Sequence, residues 1–201
     1  MTQPLVLACG ALVAELRSVL ATNGMAEHVE VRYLPANLHN RPERIVPALR
    51  ELLDDVDPDG DRTVLIGYAD CGTGGMLDAL LAERPNLRRL PGDHCYEFFS
   101  GSAVFREMAG AELGTFYVTD FLAKHFRALI WEGLGLDRHP ELRDAYFEHY
   151  TRLMLVSQSE SADVVQAARD AAAQLGLRFE HRHVGLGPFE QAVAISFGRV
   201  A

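Results

Sequence analysis

Three cysteines are the residues of this sequence best suited to chemistry. Cys9 and Cys71 each stand directly before a glycine, just after a short apolar run of strand length, and Cys95 lies in the segment 93–97, DHCYE. Thiolates are soft metal ligands, and they also act as nucleophiles and proton carriers. An odd total of three cysteines is too small for a disulfide scaffold, so we expect free thiols in a reducing compartment.

A glycine-rich segment follows Cys71 and is the second candidate. Its residues are Gly72, Thr73, Gly74 and Gly75, and a helix is predicted to begin directly after them. Backbone N–H groups in such a loop can bind a small carboxylate or phosphate, and a helix start lowers the pKa of a neighbouring thiol. The spacing matches neither the nucleotide phosphate loop nor the dinucleotide fingerprint. The structural alternative is a tight turn between strand and helix.

Four ionisable side chains stand beside these thiols or at the ends of predicted strands. They are His39, Asp70, His94 and Asp120. His94 directly precedes Cys95, and an imidazole can ligate a metal or serve as an acid or base near neutral pH. We therefore expect these four groups to form the polar wall of a pocket around the cysteines.

The elements that must position these residues alternate between short apolar runs and helical patterns. Strands are predicted at 5–8, 29–33, 63–66, 87–90, 115–118, 152–156 and 178–184. Helices are predicted between them, the least regular over 94–108 and 136–150. This alternation predicts a mostly parallel α/β sheet with helices on both faces, a Rossmann-like, three-layer fold. Ligands bind such sheets at the carboxyl ends of the strands, where Cys9, Cys71 and Asp120 fall.

Two further histidines, His181 and His183, alternate along the last predicted strand. Their spacing could bind a metal ion. Charged side chains on an edge strand also protect a sheet from aggregation, and that ordinary role is the one we expect here.

Length and charge limit the classes of function. The 201 residues suit a single domain over 1–201, although a division into two lobes near 90–113 is compatible with the pattern. The 19 basic and 28 acidic residues give a formal charge of −9, which disfavours nucleic acid and anionic membranes as partners. No apolar run approaches the roughly 18 residues of a spanning helix, and residues 1–4 lack the basic start of a secretory signal, so we expect a cytoplasmic protein.

Several segments together carry a family resemblance. They are 7–11 (LACGA), 38–43 (LHNRPE), 67–75 (GYADCGTGG), 94–98 (HCYEF), and 114–116 (GTF) with 119–122 (TDFL). With them the chain resembles the bacterial and archaeal family catalogued as domain of unknown function 1638. The motif cysteines of that family match Cys9, Cys71 and Cys95. The resemblance implies no activity, but it suggests corrinoid-dependent methyltransferase systems as partners and a link to methyl-group or one-carbon metabolism.

Three functions remain open from the sequence. The first is a metal site, either zinc or an iron–sulfur cluster, with Cys9, Cys71 and Cys95 as ligands and one coordination position left for a small-molecule substrate. It requires the three sulfur atoms to lie within about 4 Å of one another. The second is metal-free cysteine chemistry, racemase-like or with Cys71 as nucleophile and His94 as base. The third is a non-catalytic module that binds a small ligand.

Overall fold

The structure, a computed structural model, describes residues 2–197. The chain divides into two compact units. The first comprises the residues up to Phe98 together with those from Pro188 onward, and the second comprises Phe99–Gly187. The boundary after Phe98 lies inside the range 90–113 in which the sequence is compatible with a division.

A four-stranded parallel sheet forms the centre of the first unit, in the order β2-β1-β3-β4. Its strands are β1 (Leu5–Cys9), β2 (Glu30–Leu34), β3 (Val64–Gly67) and β4 (Leu87–Arg89). Its helices are α1 (Val13–Thr22), α2 (Ile45–Val56), α3 (Met76–Glu83), α4 (Cys95–Ser100) and α9 (Gly187–Ser196), and the last two cross the boundary between the units. Strands β1 and β3 are buried throughout because both of their faces are apolar.

A three-stranded parallel sheet forms the centre of the second unit, in the order β5-β6-β7. Its strands are β5 (Thr115–Val118), β6 (Arg152–Ser157) and β7 (Arg178–His183). Its helices are α5 (Ser102–Ala111), α6 (Asp120–Lys124), α7 (Leu142–Phe147) and α8 (Ala162–Leu175). A side-chain cap from Thr119 starts α6, and Gly176, with φ of +72°, ends α8 as the sequence predicts.

The predicted α/β fold with parallel strands and flanking helices is confirmed, but its strands form two sheets. Two helix predictions are wrong in extent. The helix predicted over 94–108 is interrupted at Gly101, whose φ of +79° no continuous helix allows. The helix predicted over 136–150 is only Leu142–Phe147, because Pro140 lacks a backbone N–H and disfavours helical backbone at the residue before it.

Among the described residues, no helix combines the length and the apolar character that crossing a membrane requires.

Candidate functional site

The three cysteines lie in loops and element ends of the first unit. Cys9 is the last residue of β1 and is 2% exposed. Cys71 follows β3 by four residues, and Cys95 is the first residue of α4. The ends of β1 and β3 approach closely because residue 67 is glycine: a Cβ atom there would stand 2.6 Å from the Cβ atom of Ala8.

The loop that carries Cys71 is bonded to the segment that leads to Cys95. The backbone N–H of Cys71 donates to the carbonyl of Asp93 at 2.8 Å, and that of Asp70 donates to the carbonyl of Gly92 at 3.2 Å. Cys71 itself has a φ of +51°, and among the described residues it is the one non-glycine with left-handed backbone. This backbone conformation is energetically unfavourable for a non-glycine residue, and the surrounding hydrogen bonds hold it in place.

Backbone N–H groups hydrogen-bond to the sulfur atoms. The N–H of Ala11 donates to the sulfur of Cys9 at 3.3 Å. The N–H of Cys95 donates to the thiol of Cys71, and the N–H of Tyr96 to the thiol of Cys95. An ionised Cys9 would raise the pKa of Cys71, and ionisation of either would raise the pKa of Cys95. The structure thus brings the three cysteines into one neighbourhood, where each pair interacts electrostatically.

Burial controls the protonation of these thiols. Burial raises the pKa of Cys9 to about 11, and burial together with the charge of Cys9 raises the pKa of Cys71 to about 12. The pKa of Cys95 is also raised well above its ordinary value, mainly by burial. The prediction that a helix start lowers the pKa of Cys71 is therefore wrong, because desolvation outweighs the backbone donors. In the absence of a bound cation, all three thiols are protonated at neutral pH.

The glycine-rich segment binds a carboxylate of its own chain. Asp70 accepts hydrogen bonds from the hydroxyl of Thr73 at 2.6 Å and from the N–H groups of Gly74 and Gly75 at 3.1 and 3.0 Å. Burial opposes ionisation of Asp70, but these donors outweigh it and lower its pKa. Gly72 turns the chain with a φ of +81°. An external anion would have to displace Asp70 from this loop.

An imidazole and a phenol lie beside Cys9. The Nδ1 atom of His39 stands 3.4 Å from the sulfur of Cys9, and its ring stacks on Tyr68 with centroids 6.0 Å apart. Although His39 as a residue is exposed, the protein around its ring desolvates it and, with the charge of His94, lowers its pKa. His39 is therefore neutral at pH 7. His94 is exposed, and its carbonyl accepts the N–H of Glu97 in α4.

Tyr68 is a site residue that the sequence analysis missed. It is 1% exposed, and its hydroxyl interacts electrostatically with Cys9 and Cys71. That hydroxyl also pairs with the thiol of Cys9 in a weak side-chain contact, which lies outside ordinary hydrogen-bond geometry. The available signal was a phenol at the end of an otherwise aliphatic strand, three residues before a cysteine.

Asp120 lies in the second unit and is 4% exposed. Its carboxylate accepts the N–H of Gln158 at 3.0 Å, and the N–H and hydroxyl of Ser159 at 2.9 and 2.5 Å. Asp120 thus joins the loop after β5 to the loop after β6. Its assignment to the wall of the cysteine pocket stays a prediction.

His181 and His183 are exposed on β7, the edge strand of the second sheet. The hydroxyl of Ser157, which is fully buried, lies 2.8 Å from the Nε2 atom of His181 and 3.2 Å from the Nδ1 atom of His183. Both imidazoles therefore contact one buried serine. The sequence pattern does not predict this contact.

Within residues 2–197, no group of three or more His, Cys, Asp and Glu side chains is arranged to hold a metal ion as it stands. The three thiols are nevertheless close enough to affect one another electrostatically. The prediction that these residues ligate a metal is therefore taken up below as a proposal.

Comparison with known proteins places the chain in a family. The sequence profile described as "Protein of unknown function (DUF1638)" matches residues 33–193, a range that includes Cys71 and Cys95 and begins after Cys9. No curated protein and no solved structure matches the chain. Since the match covers most of its length, this α/β chain with its three clustered cysteines belongs to the DUF1638 family.

Proposed function

We propose that the first unit binds one soft metal ion through Cys9, Cys71 and Cys95. The observation that carries the proposal is the gathering of three thiols, from three separate segments, at the carboxyl edge of one parallel sheet. Ligands bind open α/β sheets at this edge. Thiolates select zinc, copper(I) or iron–sulfur clusters over hard cations such as magnesium.

The charge balance of the site favours a cation as its occupant. Burial holds the thiols in the neutral form, since three thiolates without a counter-charge would repel one another in a poorly solvated place. A divalent ion supplies that counter-charge, and each thiol then releases its proton. The N–H groups of Ala11, Cys95 and Tyr96 already donate to sulfur, and such donors stabilise a thiolate.

The ligand set leaves one coordination position without a protein ligand. Asp70 is held by Thr73, Gly74 and Gly75, so its carboxylate does not compete for the ion. Three thiolates with an open fourth position are characteristic of zinc that exchanges a ligand, or of a cluster with one iron free to bind substrate. To bind a single ion, the three cysteines must adopt an arrangement different from the one in this structure.

One contact supports a second candidate function. The sulfur of Cys9 and the Nδ1 atom of His39 lie 3.4 Å apart, the arrangement of a thiol with its general base. Metal-free proton transfer at Cys9 would use this pair. The raised pKa of Cys9 and the lowered pKa of His39 both favour the neutral thiol and imidazole, which makes this the weaker candidate.

Metal analysis of protein purified without oxygen tests the proposal. The wild type should carry close to one metal ion per chain, or one cluster, after growth with zinc and iron. Cys71→Ser replaces a soft ligand by a hard one of similar size, and metal content should fall at least tenfold. Met108→Leu is the matched control, because it removes a buried sulfur from the second unit and should leave metal content unchanged.

Two results would contradict the proposal. Wild-type protein without stoichiometric metal, even after incubation with zinc or iron and sulfide, would remove the metal site. Metal content unchanged by Cys71→Ser, Cys9→Ser and Cys95→Ser would place the metal elsewhere. In either case, alkylation of Cys9 that depends on His39 would support the metal-free candidate.

A further inference from the structure

Two exposed arginines, Arg41 and Arg44, lie in the segment that follows β2. Within residues 2–197, neither guanidinium forms an ion pair or a hydrogen bond, not even with Glu43, which stands between them in the sequence. The chain has an excess of carboxylates, and other arginines of the first unit do pair with them. These are Arg32, Arg50, Arg62, Arg84 and Arg89.

The segment that carries the two arginines lies against the loops that carry the cysteines. The Nδ1 atom of His39 stands 3.4 Å from the sulfur of Cys9. Three residues further on, Pro42 lies against Gly72, where an added Cβ atom would stand 3.5 Å from the Cβ and Cγ atoms of the proline. Arg41 stands between these two contacts. Its backbone therefore lies at the carboxyl edge of the first sheet, where ligands bind α/β sheets.

A backbone hydrogen bond places the second arginine on the same turn. The N–H of Arg44 donates to the carbonyl of Arg41 at 2.9 Å. A guanidinium presents paired N–H donors that match the oxygen atoms of a carboxylate or a phosphate. Two guanidiniums that begin one turn apart can therefore bind the same small anion.

We propose that Arg41 and Arg44 bind a small dianion, a dicarboxylate or a phosphate, at the carboxyl edge of the first sheet. The inference goes beyond the proposed metal site and does not depend on it, because the two guanidiniums bind the anion directly. It adds the charge class of the ligand that this edge takes.

The carboxylates around the thiols do not compete for these arginines. Asp70 accepts its hydrogen bonds from the glycine-rich segment, and Glu97 accepts the N–H of Asp93 at 3.0 Å. The glycine-rich segment, where the sequence predicts an anion, is thus engaged by its own aspartate. The guanidiniums of the neighbouring segment supply the donors that such an anion needs.

Isothermal titration calorimetry of the full, reduced, metal-free chain tests the proposal. The probes are inorganic phosphate and succinate, at low ionic strength in a buffer without polyvalent anions. At least one of them should bind with a Kd of about 1 mM, as charge-assisted hydrogen bonds from two guanidiniums allow. The tighter probe distinguishes a phosphate site from a dicarboxylate site. Arg41→Gln and Arg44→Gln should each weaken its binding about tenfold.

Arg182→Gln is the matched control. Arg182 is exposed on β7 in the second unit, and within residues 2–197 its guanidinium also makes no ion pair or hydrogen bond. The variant removes the same charge and should leave the affinity unchanged. A second readout needs no arginine variant: in nuclear magnetic resonance spectra of the wild type, the tighter probe should shift the ring signals of His39 but not those of His149 in the second unit.

The outcomes separate this inference from the metal site. Absence of binding for both probes would overturn it, as would an affinity unchanged in either Arg41→Gln or Arg44→Gln. Equal weakening in Arg182→Gln would also overturn it, because affinity would then follow net charge alone. Metal content should be the same in Arg41→Gln and the wild type, and failure of the metal proposal would leave the expected anion binding as it is.

Discussion

The carboxyl edges of the two sheets differ in how their polar groups are partnered. In the second unit, the buried carboxylate of Asp120 takes three donors from Gln158 and Ser159, and the buried hydroxyl of Ser157 lies between two imidazoles. In the first unit, the buried hydroxyl of Tyr68 pairs with the thiol of Cys9, a weak hydrogen-bond partner, and buried thiols stand close together.

This difference is the reason to propose a binding site at the first edge and a structural role for the second. Buried polar groups in folded proteins are almost always hydrogen-bonded, so a fully partnered edge such as that of the second unit is explained by stability. An edge that holds a weakly bonded hydroxyl beside three protonated thiols gains little stability from them. The proposed metal ion would account for their presence.

The largest predicted effect tests the structural role of the second edge. Asp120→Asn should lower the free energy of unfolding by about 3 kcal/mol, because the amide nitrogen faces N–H and O–H donors that lose their acceptor. Trp131, the single tryptophan of the sequence, lies in the second unit, so its fluorescence during denaturant unfolding measures this loss. Asp163→Asn, on the exposed first turn of α8, is the control and should cost less than about 1 kcal/mol. Equal losses in the two variants would contradict the assigned role.

The next effect tests the thiols of the first edge in metal-free, reduced protein. Cys9 has a folded-state pKa of about 11 against an ordinary value of 9.0, so the folded state binds this proton more tightly than the unfolded state. The resulting stability is fully present below pH 9 and is lost as the pH rises towards 11. We expect Cys9 to contribute a loss of about 2 kcal/mol over this range, and Cys71 and Cys95, whose pKa values are also raised, to add to it; denaturant unfolding followed by circular dichroism measures the total.

Cys9→Ser sharpens this measurement, because serine does not titrate in the same range. Its stability should change less between pH 9 and 11 than that of the wild type. Saturating zinc should also remove the wild-type pH dependence, since bound thiols have already lost their protons. An identical alkaline loss in wild type and Cys9→Ser would contradict the burial argument.

The smallest effect concerns the histidines of the second edge. His183→Ala removes one exposed partner of Ser157, which keeps its contact with His181 at 2.8 Å. We expect a stability loss below about 1 kcal/mol and no change in metal content. A fall in metal content comparable to that of Cys71→Ser would place metal binding at the edge of the second sheet and contradict its assigned structural role.

The sequence predicts the fold well where periodicity and burial agree. Strands such as Leu5–Cys9 are apolar on both faces, and that pattern places them at the centre of a parallel sheet. The same pattern does not show that the strands divide into two sheets, because strand order depends on tertiary packing. Helix extents fail at Gly101 and Pro140, where one residue overrides a helical pattern.

The candidate site shows a similar limit. Cysteines at strand ends could be recognised from their spacing, and the sheet then accounts for the proximity of Cys9 and Cys71. The glycine-rich segment suggested an anion site, but only the structure shows that Asp70, just before it, takes up the donors. His39 and Tyr68, the neighbours of Cys9, lie 30 and 59 residues further along the chain, so only tertiary packing shows that they contact its thiol.

X-ray absorption spectroscopy of the zinc-loaded protein tests the central claim most directly. The account predicts three sulfur atoms at about 2.3 Å from zinc and one lighter atom at about 2.0 Å, with one sulfur lost in Cys71→Ser. Zinc surrounded only by nitrogen and oxygen, or a sulfur shell unchanged in Cys71→Ser, would contradict it.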